Sequence, residues 1–182
     1  KTGYLGKGKG FLIGSLEFLD QPGEWFQDQD FLYLWPISSK HPSKLDIQLR
    51  IAKNAISLSN QSYISITGLT LSAGSIDAKN TRGITLDRLT ISYPAPFFEF
   101  RQGFERFSPN PSGSLDDFEK SNGNGVELSG SHSILRNSII HKSWGDGLTV
   151  WGNNHLIYNN IITNCDWIGI DCAPISISGH NQ

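Results

Sequence analysis

Read as a string of apolar and polar positions, residues 122–172 write one phrase three times: NGNGVELSGSHSILRNSIIHKS, then WGDGLTVWGNNHLIYNNIITNC, then DWIGIDC. Gly125, Gly147 and Gly169 stand 22 residues apart, as do Val126, Leu148 and Ile170, and Asn137 and Asn159. Short alternating runs broken by Gly, Asn and Ser at this period suit a chain that coils so that each turn stacks on the last. The pattern predicts a parallel β-helix, whose equivalent residues sit about 4.8 Å apart per coil. Val126, Leu148 and Ile170 would face inward, with Leu128, Val150 and Cys172 two places on, so Glu127, Thr149 and Asp171 would face outward in one column.

The repeat extends upstream. Residues 63–71 match 83–91 at an offset of 20, and the same strand recurs at 134–140 and 156–162, so coil length varies and turns absorb the difference. Asn137 and Asn159 share a turn column, where stacked amides can hydrogen-bond from coil to coil. Before the coils the pattern changes. Residues 16–19 and 31–35 read as strands around Pro22-Gly23 and Asp28-Gln29-Asp30 turns, giving a small antiparallel meander with Trp25 and Trp35 as its core. Leu45, Ile47, Leu49 and Ile51 alternate strictly, predicting a strand that leads into the repeat. The organisation expected is therefore all-β: a flanking meander over 1–44, then β-helix coils over 45–182 with a long insertion at about 94–122. That insertion holds Pro94, Pro96, Pro109 and Pro111 among Phe97, Phe98, Phe100, Phe104 and Phe107.

Composition adjusts this picture little. A chain of 182 residues with 11% aromatics and net charge -2 is globular, has no apolar run long enough to span a membrane, and lacks the basic stripe a nucleic-acid partner needs. The chain starts at Lys1, contains no Met and stops at Gln182 with another coil under way, so a piece of a longer helix is expected. Cys172 falls in an inward column, which favours a buried thiol, while a disulfide with Cys165 stays open.

These residues resemble a known family. The coils are similar to the right-handed parallel β-helix repeats of the pectate-lyase-like superfamily. Gly23-Glu24-Trp25-Phe26 with Phe31-Leu32-Tyr33-Leu34-Trp35-Pro36 resembles a Gly-Glu-Trp-aromatic … Leu-Tyr-Leu-aromatic-Pro element that precedes the helix in many bacterial carbohydrate-active proteins. The resemblance implies a right-handed solenoid, a bacterial protein that is secreted, periplasmic or on the cell surface, and a polysaccharide or oligosaccharide partner. It does not select among lyases, glycoside hydrolases, epimerases, esterases and non-catalytic adhesins, because fold does not fix function.

A flat sheet face with regular outward ladders can set groups from successive coils against an extended polymer. Glu127 and Asp171, two coils apart in one column, would place carboxyls at about 6.5–9.5 Å, the separation inverting glycoside hydrolysis uses. Asp146, between Gly145 and Gly147, is the third candidate catalytic acid, and its competing reading is a turn residue that holds its own backbone; Asp166 is held in reserve. Trp144, Trp151 and Trp167 flank the outward strand, where indoles can stack on sugar rings or pack a coil corner. A polysaccharide lyase would instead draw its base from residues such as His141, Lys142, Arg101 and Arg106, the two arginines doubling as substrate-binding candidates, and would take calcium or an arginine to neutralise the uronate. His132 and His155 read as turn residues, and no spacing resembles a metal site. A glycoside hydrolase leads these readings, with the lyase and a non-catalytic carbohydrate-binding β-helix behind it; the sequence leaves oligomeric state open.

Overall fold

In the computed structural model, residues 15–28, 31–50, 52, 54–95, 125–166 and 173–180 are described. The chain divides into two units, Lys1–Gln48 with Glu99–Ser108, and Leu49–Phe98 with Pro109–Gln182. In the first, β1 (Trp25–Asp28) and β2 (Phe31–Leu34) form an antiparallel hairpin that pairs Trp25 with Leu34 and Asp28 with Phe31. The turn before it is tied by Glu24, whose carboxylate accepts the N–H groups of Asp20 and Gln21 at 2.8 and 2.9 Å. Two expectations fail here. Residues 16–19 form no strand: Leu16–Phe18 is a single 3-10 turn capped by Ser15, a local arrangement that wins where no neighbouring strand offers a ladder. Trp25 and Trp35 are 48% and 43% exposed, because among the described residues the two-stranded ribbon has no second layer to bury them.

The second unit is the coil stack. Its strands run in threes: β3 (Asn54–Ser57), β4 (Ser65–Thr67) and β5 (Thr70–Ser72) in the first coil; β6 (Ser75–Arg82), β7 (Thr85–Asp87) and β8 (Thr90–Ser92) in the second. The third coil holds β9 (Val126–Ser131), β10 (Ile134–Arg136) and β11 (Ile139–His141), and the fourth β12 (Leu148–Asn153), β13 (Leu156–Tyr158) and β14 (Ile161–Thr163). β15 (Ile175–His180) opens a fifth. Equivalent strands pair in parallel, giving a first wall of β3, β6, β9, β12 and β15, a second of β4, β7, β10 and β13, and a third of β5, β8, β11 and β14. Each stretch that alternation reads as one strand, such as 134–140, is thus two three-residue strands with a corner between them.

The corners explain the period. One left-handed residue stands at each: Tyr63, Gly83, His132 and Asn154 after the first wall; Gly68, Arg88, Asn137 and Asn159 after the second; Ala73, Tyr93, Lys142 and Asn164 after the third. Within every coil these corners are five residues apart, so the second and third walls have fixed length. All coil-to-coil variation lies on the remaining side. The chain takes three residues from Ala73 to Ile76, 33 from Tyr93 to Val126, six from Lys142 to Leu148 and 11 from Asn164 to Ile175. Within the first wall itself the register shifts twice, by one residue at Ala55 of β3 against β6 and by one at a bulge in β6 against β9.

The inward columns are aliphatic: Ile66, Leu86, Leu135 and Ile157 on the second wall, Leu71, Ile91, Ile140 and Ile162 on the third, and Val126 with Leu148 and Leu128 with Val150 on the first. Leu86, Leu135, Ile91, Ile140 and all four first-wall residues are fully buried. The asparagine stack forms as the spacing predicts. Asn159 donates to Asn137 Oδ1 at 2.7 Å, and Asn137 donates in turn to Asp87 Oδ1 at 2.8 Å. That bond, with Arg136 and Arg88 nearby, outweighs partial desolvation and holds the Asp87 carboxyl below the usual carboxylate range.

His155 departs from the turn role expected of it. It is buried one position past its corner, where Nδ1 accepts the Ser133 N–H at 3.2 Å and Nε2 faces the Trp151 carbonyl at 3.1 Å. Burial pulls its pKa down, against the raising effect of its backbone bonds. The alternating residues 45–51 form no strand among the described residues; instead Arg50 donates to the carbonyls of Tyr93 and Pro94 at 3.0 and 2.9 Å, tying the first coil to the stem of the insertion.

Candidate functional site on the first wall

The variable corner feeds the first wall, whose outward face carries the candidate residues Glu127 and Trp151. Its register sets Ser57, Asp77, Glu127, Thr149 and Ser176 in one column. Two carboxylates therefore sit on adjacent strands, about 4.8 Å apart at the backbone. Glu127, with its side chain 13% exposed, pairs with Lys79 Nζ at 3.3 Å. Asp77 Oδ2 accepts a long bond from Asn54 at 3.4 Å, and its Oδ1 is buried with no hydrogen-bond partner.

The bulge explains how Lys79 comes to that position. Ala78 pairs with Leu128 and Thr81 with Gly130, so Lys79 and Asn80 together face the single residue Ser129. The extra residue is accommodated by left-handed Asn80, whose N–H donates to Ser129 Oγ, and by the Thr81 hydroxyl, which reaches the carbonyls of Ala78 and Ser129. Bulges re-aim side chains in this way. One coil on from Ser129 and paired with it is Trp151, 44% exposed, an indole on the same face as Glu127.

Asp146 occupies the variable corner of the fourth coil and is buried. Its Oδ2 accepts the Thr149 hydroxyl at 3.1 Å and its Oδ1 the Ala173 N–H at 2.7 Å, while the Ser143 hydroxyl donates to its carbonyl. One carboxylate oxygen thus ties the corner to β12 of its own coil and the other to the backbone one coil on. Trp144 is partly buried in the same corner. Asp166 lies in the next corner, its N–H donating to Gly145 and its Oδ1 buried without a partner. His141 ends β11 on the third wall, and Lys142 stands at the corner with its ammonium 5.3 Å from the Tyr93 ring centroid. Neither shares the face of Glu127.

Asp171, Trp167, Arg101, Arg106 and Cys172 lie outside the described residues. The expected pairing of Glu127 with Asp171 through one column is nonetheless corrected, since Ser176 pairs with Thr149 where a constant period puts Asp171. The corner after Asn164 is five residues longer than the one after Lys142, which shifts the register: Ile175 and Ile177 follow Leu148 and Val150 in place of Ile170 and Cys172. Asp77 is the residue that periodicity missed. The insertion puts 50 positions between it and Glu127 and hides the column. A usable signal exists: Ile76-Asp77-Ala78 begins nine residues before Thr85, and Val126-Glu127-Leu128 eight before Ile134, the bulge supplying the difference.

Among the described residues no group of three or more His, Cys, Asp or Glu side chains is placed to hold a metal, and no helix is long and apolar enough to cross a membrane. Cys165 is a free thiol whose pKa burial pushes up.

Stacked parallel walls with a core of aliphatic columns define a β-helix solenoid, here with a separate antiparallel pair. Residues 115–176, 62 of the 182, match the family model described as the right handed beta helix region, which gives the coil its hand. The Gly23-Glu24-Trp25 element lies outside that span. No curated protein and no solved structure is matched by the chain.

Proposed function

We propose that the chain is a carbohydrate-active β-helix protein that hydrolyses glycosidic bonds of a polysaccharide or oligosaccharide laid along the first wall. One observation carries the reading: the long insertions enter at the corner bordering this wall, and the same wall bears a mostly buried Glu127 paired with Lys79 and a half-exposed Trp151. Loops gathered on one side of a solenoid build its binding face. An exposed indole offers a platform for the apolar face of a sugar ring. Glu127 supplies the carboxylate such hydrolysis requires, and Asp146 acts as a positioning residue through its bonds to Thr149 and Ala173.

The test incubates the protein with glucans, xylans, galactans, mannans and polygalacturonate and measures new reducing ends. Hydrolysis that Glu127→Gln abolishes supports the reading. An unsaturated product absorbing in the ultraviolet converts it to a lyase, and binding without cleavage leaves a carbohydrate-binding module, the reading that the exposed Trp151 alone would support.

A further inference from the structure

Asp77 has no structural reward for its place. Its Oδ1 is buried without a hydrogen-bond partner and its Oδ2 takes one long bond from Asn54, although buried carboxylate oxygens in folded proteins are nearly always satisfied. Such an orphan calls for an explanation, and the neighbouring residue supplies one. Asp77 is in register with Glu127 on the adjacent strand, while the β6 bulge delivers Lys79 to Glu127. The two carboxylates are therefore unequal: one is paired with a cation, and the other keeps a buried oxygen without a hydrogen-bond partner and a second oxygen that holds only one long bond.

We infer that Asp77 and Glu127 are the two catalytic carboxyl groups of a displacement that proceeds with retention of anomeric configuration. The inference rests on the glycoside-hydrolase reading and deepens it. Glu127, ion-paired with Lys79 at 3.3 Å, is the nucleophile, and Asp77 is the acid and base. In the first step Asp77 gives a proton from Oδ2, the oxygen that is not enclosed, to the glycosidic oxygen, the bond from that oxygen to the anomeric carbon breaks with its electron pair going to the leaving sugar, and a Glu127 oxygen bonds the anomeric carbon. In the second, water attacks that carbon, its proton returns to Asp77, and the bond to Glu127 breaks with its electron pair returning to the carboxylate. One water is consumed and both residues are restored. Retaining enzymes need their carboxyls about 5–5.5 Å apart, which residues on adjacent parallel strands at about 4.8 Å can meet and residues two coils apart cannot readily meet. Lys79 is a positioning residue for Glu127 in this scheme.

The experiment uses whichever polysaccharide the wild-type chain cleaves and the 2,4-dinitrophenyl glycoside of the same sugar. Proton NMR of the first product should show the anomer of the substrate. Asp77→Ala should lose about 10²–10⁴-fold on the polysaccharide, which needs a proton donor. It should lose far less in forming the glycosyl-enzyme from the dinitrophenyl glycoside, whose leaving group needs none, and added azide should restore turnover and give a glycosyl azide of retained configuration. Asp77→Asn, nearly the same shape, controls for folding through its denaturation midpoint. An inverted product, or an Asp77→Ala protein with full activity on the polysaccharide, overturns the inference while hydrolysis lost in Glu127→Gln leaves the broader reading standing. A wild-type chain that cleaves no glycan overturns both.

Discussion

Gly152 gives the sharpest test of the stacked register. It pairs with Gly130 on one side and Gly179 on the other, and all three have positive φ, at +115°, +118° and +144°. A Cβ at Gly152 would lie 2.1 Å from the Gly130 carbonyl oxygen, whereas ordinary contact begins at 3.4 Å. Gly152→Ala must therefore part β9 and β12 locally by more than an ångström, enough to break about two ladder hydrogen bonds at about 0.5–1.5 kcal/mol each. The left-handed backbone adds about 1–3 kcal/mol of strain for a residue with a side chain. Taken together the loss is about 4 kcal/mol, or about 8–16 °C in Tm for a chain of this size. Gly68→Ala is the matched control: φ is +70° there too, but nothing lies within 4 Å of the added carbon. Only the left-handed cost of about 1–2 kcal/mol applies, or about 2–8 °C. Thermal and urea unfolding followed by circular dichroism measures both variants. Equal losses in the two proteins would refute the close approach of Gly152 to Gly130, and with it the register that places Trp151 beside Ser129.

Other outcomes follow from the same structure. Leu135→Ala empties a fully buried site between Leu86 and Ile157 and should cost about 2–5 kcal/mol by urea denaturation, while Leu156→Ala, on an exposed outward position, should cost under about 0.5 kcal/mol. His155 has a folded-state pKa below its ordinary value of 6.5, so it contributes stability that is present above that value and lost as pH falls through the folded pKa. Unfolding midpoints should accordingly drop from pH 7 to 5, and His155→Gln should flatten that slope; an unchanged slope assigns the acid sensitivity elsewhere. Trp151→Ala should raise KM about tenfold on a cleaved polysaccharide, the loss of about 1.4 kcal/mol of stacking, with kcat nearly unchanged. Lys79→Met should lower kcat more than it raises KM, and Lys79→Arg should recover part of the loss; equal kcat in all three proteins removes Lys79 from the positioning of Glu127.

The coil was legible because its signal is local and repeated. Val126, Leu148, Leu128 and Val150 fall in the inward columns that alternation assigns them, and the amides of Asn137 and Asn159 meet as a spacing of 22 predicts. The corners were legible only in part: Asn137, Asn159 and His132 read as turn residues and stand at corners, while others gave no signal. Arg88, Tyr93 and Lys142 are unusual residues for a left-handed backbone, and the stacked ladders on either side help to hold them there. The site was half legible for the same reason. Glu127 lies inside the regular repeat and was found from it, whereas Asp77 lies beyond the insertion, and Ser176 holds the column position that a constant period gives to Asp171. Periodicity predicts a column only while loop length is constant, and around this face it changes at every coil. Strands 16–19 and 45–51 were misread because alternation signals a strand only where a partner exists to complete its ladder.

The five-residue walls and the single elastic corner separate two jobs within one coil. Two sides of the coil act as a gauge that keeps every column in step, and the third takes up whatever is inserted. A designer could accordingly exchange the corner at 143–147 for the shorter one at 74–75, or for an unrelated loop, and expect the second and third walls to keep their registers. The wall carrying Asp77, Glu127 and Trp151 would acquire a new border while its strands stayed paired. Such a scaffold lets the rim of one wall be rewritten one coil at a time.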